Sequence, residues 1–533
     1  MESLGIWSVL PPVVAILLAF ATRQVLPSLF FSIWLGATMM CGWNPVAGFS
    51  LMASDYIIGS IADPWNATIL TVCITLGGLI GIISKSGGVK AVAERLAQRS
   101  KSPRGGQFAT AVLGLLIFFD DYANTLLIGN TMRPVTDRLK ISREKLAYIC
   151  DSTAAPVASI ALISTWATYE MGLIRDVFST IGTDINIYEA FLKSIPYRFY
   201  SIISLFIVFT VILSGRDYGS MYKAERRARQ TGKLTADGST PLLSNDLTEM
   251  KIKDGIPLRW YNAFVPLFTV VVVVIIGLYI TGYQKLAESG YAVSSAQFSE
   301  IIGNANGAVA MLWAVLTGSL VAAVMTIAQK VLSLKDAVDG WIDGAKSMLI
   351  AAMILILAWG IGRVCKDAGT ASYLVGALES KILPAYIPVT SFGLGCIIAF
   401  ATGTAYGTSA ILMPVAVPLV YGLSNGEPGS LLFATIGAIF TGAVFGDHCS
   451  PISDTTIMSS MASGSDHLDH VATQIPYSLT AAAIAVIVGF LPISFRINPF
   501  ISIIAGLAVV FLVVRFFGKK TDYPITYANK IKS

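Results

Sequence analysis

Long apolar runs without a charged residue recur along the chain and restrict its fold more than any other feature. The longest one, Ile382–Gly426, holds 45 residues without an Asp, Glu, Lys or Arg. Several others extend over about 16–25 residues, which is enough to cross a hydrocarbon core about 30 Å thick. Only 13% of the residues are charged, against roughly 25% in soluble globular domains. The sequence therefore predicts an all-α polytopic membrane protein in a lipid bilayer, with about 11 spans.

Composition and missing motifs exclude several classes of function. The net charge of +5 lies in basic loops, so we expect no nucleic-acid partner. The chain has no phosphate-binding loop and no metalloprotease or serine-hydrolase motif, so we expect neither an enzyme nor a cofactor. The six cysteines form no Cys-x-x-Cys pair, which argues against a zinc site or a disulfide framework. His467 and His470, beside Asp466 and Asp469, are interpreted as part of a solvated, charged loop.

The distribution of basic residues predicts the orientation of the first spans. Asn44–Ala67 has no Lys or Arg and is expected outside, whereas Lys85–Arg104 and Arg133–Lys145 carry six and five basic residues and are expected inside. Gln107–Met132, between the two basic segments, then has to enter and leave on the same side as a re-entrant hairpin. Ile382–Gly426 is too long for one crossing helix and predicts a second re-entrant hairpin.

Two further apolar segments are interrupted by proline and polar residues. Leu146–Tyr169 is broken at Asp151–Pro156, and a segment at about 430–463 is broken at Phe445–Thr456, which contains Pro451. Proline cannot continue the hydrogen-bond ladder of a helix, so both are predicted to be Pro-broken helices. Because the same series occurs twice, the sequence predicts inverted-topology repeats. The predicted units are residues 1–214, a cytoplasmic linker at 215–259, residues 260–495, and an extra span with a basic tail at 496–533.

Four polar clusters fall at the predicted hairpin tips and helix breaks. Carboxylates at membrane depth cost several kcal/mol unless they have a function, and broken helices are where carriers hold sodium ions or protons. Alternatively, the hydroxyls and amides satisfy neighbouring backbone groups, and each Asp pairs with a Lys or Arg. The candidate ion- or substrate-binding residues are Asp121, Asn124, Thr125, Asp151, Thr153, Thr404, Thr408, Ser409, Asp447, Ser450, Ser453, Asp454 and Thr455.

Roles can be assigned within this set as hypotheses. We expect Asp454, Ser453 and Asp121 to bind Na⁺, because they cluster hard oxygen ligands. Asp447 is expected to carry the proton, with Asp454 and His448 also assigned to proton coupling. For His448 a hydrogen-bonding role fits equally well, and either Asp447 or Asp454 could instead be a helix cap.

Gly446–Thr456 reads Gly-Asp-His-Cys-Ser-Pro-Ile-Ser-Asp-Thr-Thr and resembles a signature of the NhaC-type sodium/proton antiporter family. Phe118–Thr125 resembles the first-half motif of the same family. The resemblance implies the architecture of the ion transporter superfamily, an elevator-type carrier, a homodimer and a bacterial inner membrane. It implies Na⁺/H⁺ antiport as the function. The alternative is Na⁺- or H⁺-coupled transport or exchange of a small organic solute, a malate- or lactate-like acid or an amino acid.

Overall fold

The computed structural model describes residues 4–521 except 23, 100–101, 119, 242–255, 289–300, 302–304, 371, 374–376, 378–382 and 452. Eight of the described helices are long and apolar enough to cross a membrane, and two bent helix pairs raise that number to ten. Apolar side chains on the outer faces, such as Leu320 and Ile504, are 64% and 68% exposed, as on helices that face lipid. The chain is thus a multi-pass membrane protein, while the finer count of about 11 spans stays a prediction.

The first part of the chain is helical where the sequence indicated only a connection. The Asn44 side chain accepts hydrogen bonds from the backbone N–H groups of Val46 and Ala47 and so begins a helix within the predicted connection Asn44–Ala67. This helix is bent by 114° from the one before it. After a 3-10 turn at Gly5–Val9, the helices are α1 (Leu10–Thr22), α2 (Val25–Met40), α3 (Pro45–Leu51, continued by a π-helical turn at Met52–Ile58 and by Gly59–Ile61) and α4 (Pro64–Lys85).

The first predicted hairpin and broken helix form two helix pairs with short interruptions. The hairpin turns between Leu116 and Asp121, and the broken helix is interrupted at Thr153 and Ala154. The elements are α5 (Gly88–Arg99), α6 (Pro103–Leu116), α7 (Asp121–Arg138), α8 (Arg143–Ser152), α9 (Ala155–Ala158), α10 (Thr165–Ile181), α11 (Ile187–Ser194, followed by a 3-10 turn at Ile195–Tyr197) and α12 (Phe199–Ser214).

The first part of the predicted linker at 215–259 is folded into regular elements. It contains β1 (Arg216–Asp217) and α13 (Gly219–Thr231), and β1 pairs antiparallel with β2 (Lys519–Lys520) at the other end of the chain. The helix is fixed because buried Glu225 accepts hydrogen bonds from Gln107 Nε2 (3.0 Å) and from the backbone N–H of Ser142 (2.8 Å). Residues 242–255 of the predicted linker and 522–533 of the predicted tail lie outside the described part.

The second half repeats the order of a helix pair followed by an interrupted helix. Whether both helix pairs are re-entrant and whether the halves are inverted stay predictions. The elements are α14 (Tyr261–Glu288), α15 (Gly307–Ala328), α16 (Leu334–Ser347), α17 (Leu349–Asp367), α18 (Ile387–Thr402, after a 3-10 turn at Pro384–Tyr386), α19 (Ala405–Leu423), α20 (Ser430–Cys449), α21 (Asp454–Ser463), α22 (His467–Ile484, continued by a π-helical turn at Ala485–Phe490 and by Leu491–Ser494) and α23 (Pro499–Phe517).

Glycines allow two close helix crossings. A Cβ at Gly81 of α4 would collide with the Gly340 carbonyl of α16, and one at Gly446 of α20 would collide with the Ala399–Phe400 backbone of α18. The second crossing holds the interrupted helix against the helix pair before it. Across the halves, α21 packs against α7 and α8, and α10 packs against α19. The interruptions of both halves therefore meet inside the protein.

Candidate functional site

The interruption between α20 and α21 gathers hydroxyl groups around Asp447. Ser453 Oγ donates a 2.5 Å hydrogen bond to Asp447 Oδ1 and lies 3.0 Å from Thr455 Oγ1. Thr456 Oγ1 donates to the Asp447 carbonyl, and Ser450 Oγ donates to the Phe400 carbonyl of α18. The polar residues of this interruption thus hold the Asp447 carboxylate above the first turn of α21.

Asp454 is the first residue of α21, but its side chain lies outside the described part of the structure. Its hypothesised Na⁺ contact therefore stays a prediction. The backbone position, at the first turn of a helix, is also one where a carboxylate stabilises a helix N-terminus.

Asp151 of α8 is fully buried and is held by groups from the second half. Its Oδ2 accepts hydrogen bonds from Gln474 Nε2 (2.6 Å) and Thr456 Oγ1 (3.2 Å), and His470 Nε2 lies 3.9 Å away. Its Oδ1 is buried and has no hydrogen-bond partner among the described residues. Burying a polar atom without a partner is unfavourable, so this oxygen is suited to take up a cation or a proton.

His448 of α20 is held by hydroxyl groups on both sides of its ring. Ser152 Oγ lies 2.7 Å from Nε2, and Tyr200 OH lies 2.7 Å from Nδ1. Hydroxyls can donate or accept, so either tautomer of the imidazole is satisfied in this place. The carbonyl of His448 also accepts a hydrogen bond from Gln474 Nε2.

The first-half turn places Asn124 between three backbone segments. Its Nδ2 lies within hydrogen-bond distance of the carbonyls of Gly114 (2.8 Å), Ile117 (3.1 Å) and Thr153 (2.9 Å). Its Oδ1 is buried and lacks a hydrogen-bond partner within the described ranges. The nitrogen of the Asn124 amide therefore closes the turn between α6 and α7.

Several predicted hydroxyls already serve the neighbouring backbone, as the alternative interpretation expects. Thr125 Oγ1 donates to the Asp121 carbonyl, Thr153 Oγ1 to the Ile149 carbonyl, and Thr408 Oγ1 to the Thr404 carbonyl. Each hydroxyl oxygen keeps lone pairs that can still contact a ligand.

The turn between α18 and α19 contacts aromatic residues of the first half. Gly403 adopts a left-handed φ of 70°, and Thr404 Oγ1 caps α19 by accepting from the backbone N–H of Gly407. Tyr169 OH donates to the Tyr406 carbonyl (2.6 Å), and the two rings stack with centroids 4.3 Å apart. Ser409 is buried one turn further along α19.

Contacts join polar residues of the two halves. Thr456 Oγ1 donates to Asp151 Oδ2, Ser152 Oγ lies 2.7 Å from His448 Nε2, and Tyr169 OH donates to the Tyr406 carbonyl. The structure thus brings residues from both halves to one buried region.

Sequence reasoning missed three residues of this region: Tyr200, His470 and Gln474. The interpretation of His467 and His470 as a solvated loop is wrong, because Asp466 caps α22 and His470 is fully buried. The spacing of His467, His470 and Gln474 (i, i+3, i+7) is that of one helix face, which is the signal that could have identified them.

A family model described as the Na⁺/H⁺ antiporter family matches residues 157–493, more than half of the chain. The chain belongs to this family. The match includes the α18–α19 turn and the second interruption, whereas Asp121 and Asp151 precede it. The resemblance read from Gly446–Thr456 is thereby confirmed, and the protein is a secondary transporter.

Relatives of this antiporter family member differ in how much of the chain they cover. An uncharacterized protein of Haemophilus influenzae is 34% identical over 525 residues, which are 97% of this chain and 96% of that protein. The malate-2H(+)/Na(+)-lactate antiporter of Bacillus subtilis is 30% identical over 163 residues, 30% of this chain and 34% of that protein. The solved structure of MtrF from Neisseria gonorrhoeae, described as an antimetabolite efflux pump, covers 85% of each chain with 14% identity and a TM-score of 0.52, a likeness of fold alone.

Proposed function

We propose that this chain is a Na⁺/H⁺ antiporter whose buried carboxylates bind Na⁺ or H⁺ in turn. The observation that carries this proposal is Asp151, a fully buried carboxylate with neutral donors on Oδ2 and no hydrogen-bond partner on Oδ1 among the described residues. Such a group is expensive as a bare anion, so it requires a cation or a proton. The family supports the same reaction class.

The roles within the site follow from this exchange. Asp121, Ser453 and Asp454 are proposed to hold Na⁺, and Thr455 Oγ1 lies 3.0 Å from Ser453 Oγ. Asp447 is proposed to carry the proton, and the Ser453 hydroxyl that contacts its Oδ1 connects the two groups. Because Ser453 contacts Asp447 and is itself proposed to hold Na⁺, protonation of Asp447 is proposed to weaken Na⁺ binding at the same site, and Na⁺ binding is proposed to release this proton.

The organic-solute alternative is supported by one structural feature and one relative. The capped N-terminus of α19 at Thr404 presents backbone N–H groups next to the carboxylate-rich region, and helix N-termini bind anionic groups. The malate-2H(+)/Na(+)-lactate antiporter matches part of the chain. The elevator movement, the homodimer and the bacterial inner membrane stay predictions of the family resemblance.

Vesicles containing the purified protein would distinguish the two functions. A Na⁺ gradient is expected to produce a pH change inside the vesicles without any organic solute, and a panel of organic acids and amino acids is expected to leave its rate unchanged. A pH change that requires one of these solutes would contradict Na⁺/H⁺ exchange and favour the alternative.

A further inference from the structure

Two of the three histidines of the chain face the same hydroxyl group. His467 Nδ1 lies 3.1 Å and His470 Nδ1 lies 2.9 Å from Ser460 Oγ, which belongs to α21. On the far side of each ring, His467 Nε2 lies 2.7 Å from the Pro451 carbonyl and His470 Nε2 lies 2.8 Å from Gln474 Oε1. The row His467–Ser460–His470 is therefore continuous by hydrogen-bond distance.

The protonation of this row can be assigned from its acceptors. A backbone carbonyl only accepts, so His467 Nε2 carries a proton. Gln474 Nε2 donates to Asp151 Oδ2 and to the His448 carbonyl, so Gln474 Oε1 faces His470, whose Nε2 also carries a proton. When the histidines are neutral, each Nδ1 atom therefore carries a lone pair. Both lone pairs face the single hydroxyl proton of Ser460.

One additional proton completes the hydrogen bonds of the row His467–Ser460–His470. With a proton on one Nδ1, that nitrogen donates to Ser460 Oγ while the hydroxyl donates to the other Nδ1, and every polar atom of the row is paired. When both histidines are neutral, the Ser460 hydroxyl can instead donate to the Thr456 carbonyl, 2.8 Å away. The row therefore has two one-proton states that differ in which histidine is charged.

The two ends of the row lie in different surroundings. His467 is half-buried at the N-terminus of α22, where Asp466 and Asp469 accept hydrogen bonds from the linker residues Thr240 and Ser239. Partial burial acts to raise the pKa of Asp466, but hydrogen bonds from the backbone N–H groups of Thr240 and Asp469 outweigh this effect and lower the pKa. Asp466 therefore gives the His467 end of the row a negative charge. His470, at the inner end, is fully buried 3.9 Å from Asp151 Oδ2.

Other charged or titratable groups face this row from several elements. Glu144 pairs with Arg227 of α13, and Arg143 and Arg133 approach Gly464 at the end of α21. Among the described residues, the charged or titratable groups in this region include Arg133, Asp137, Arg143, Glu144, Cys150, Asp151, Arg227, His448, Asp466 and Asp469.

We propose that His467, Ser460 and His470 form a relay that moves one proton from the linker side of the protein to His470, beside Asp151. A proton binds at His467 Nδ1; the Ser460 hydroxyl proton moves to His470 Nδ1, and the His467 proton replaces it on Ser460 Oγ. One N–H bond and one O–H bond break, and one of each forms. The positive charge thereby moves from His467 to His470, whose Nε2 lies 3.9 Å from Asp151 Oδ2. The relay rests on the proposed Na⁺/H⁺ exchange, since the proton held at His470 compensates the Asp151 carboxylate when Na⁺ is absent.

The test compares two kinds of sodium flux in vesicles for Ser460→Ala, His467→Gln and His470→Gln. Proton-coupled Na⁺ flux is expected to fall on the order of tenfold or more, as for loss of a proton-transfer group. Exchange of radiolabelled Na⁺ for unlabelled Na⁺ needs no net proton movement and is expected to stay within about twofold of the wild type. Thr473→Ala is the matched control, because this hydroxyl of α22 donates only to the Asp469 and His470 carbonyls in the described structure.

Chemical rescue separates proton transfer from a structural role. Imidazole on the linker side is expected to restore proton-coupled flux to His467→Gly, whereas pyrazole, with a similar ring but no protonation near neutral pH, is expected to fail. Normal coupled flux in Ser460→Ala, equal loss of both fluxes in all three variants, or rescue by both rings would overturn the relay. Wild-type vesicles without Na⁺-driven proton movement would overturn the proposed function and the relay together.

Discussion

At the scale of single residues, the protein buries charges in two different ways. Arg198 and Glu170 form a fully buried ion pair with an N–O distance of 2.7 Å, and the guanidinium lies over the rings of Phe191 and Phe440. Lys145 and Asp217 form a second buried pair at 2.6 Å. Asp151, in contrast, has neutral hydrogen-bond donors. The paired acids are thus structural, while Asp151 is available for an ion.

Arg198→Met is predicted to destabilise the protein by about 3–5 kcal/mol, because it leaves the Glu170 carboxylate buried without its cation. The double variant Arg198→Met/Glu170→Met is expected to recover much of this loss, since both charges are removed. Thermal unfolding in detergent measures the difference. Lys193→Met, which breaks a half-exposed pair with Glu189, is the control and should cost about 0–1 kcal/mol. Equal losses for the single and double variants would contradict the structural role of the pair.

At the scale of helices, sequence patterns predicted the turns and helix interruptions more accurately than they predicted the amphipathic helices on the surface. Pro451 and the polar residues around it mark a break that the structure places between Cys449 and Asp454. Helix α13 lies within the predicted linker at 215–259, where no helix was predicted. Its buried face, Met221, Ala224 and Ala228, nevertheless has helical spacing.

The site was predictable where its residues are close in sequence, and not where folding brings distant residues together. Ser453 and Asp447, which form a contact, are six residues apart in sequence, whereas Gln474 and Asp151 are 323 residues apart. A single sequence carries no signal for the second kind of contact.

Gly81→Val is predicted to disrupt the crossing of α4 and α16, because a Cβ at this position would meet the Gly340 carbonyl. The helices have to separate, so the melting temperature in detergent should fall by several degrees, equivalent to about 1–3 kcal/mol. Gly393→Val in α18 is the control, since a Cβ there has open space around it. A similar change in both variants would show that the crossing does not depend on close contact.

At the scale of the whole molecule, contacts between the halves assemble the site. Helix α21 of the second half packs against α7 and α8 of the first, and the tail strand β2 pairs with β1 at the start of the linker. The C-terminal end of the described chain therefore lies beside the start of the linker. The basic residues of the linker and tail predict that this side is cytoplasmic.

Single cysteines at Lys233 and Glu427 are predicted to react from opposite sides of the membrane. Both positions are exposed, one in the linker and one between α19 and α20. An impermeant thiol reagent added to intact cells should label only the cysteine at Glu427, and the cysteine at Lys233 should require permeabilised cells. External labelling at Lys233 would reverse the predicted orientation.

The most direct test of the central claim is Na⁺ binding to the purified protein as a function of pH. If Na⁺ and H⁺ bind the same carboxylates in turn, Na⁺ addition releases protons, and the apparent Kd rises up to about tenfold per pH unit as pH falls through the carboxylate pKa. In Asp447→Asn this pH dependence should disappear, and in Asp454→Asn Na⁺ binding itself should be lost. Binding that is independent of pH in the wild type, or unchanged in both variants, would contradict the account.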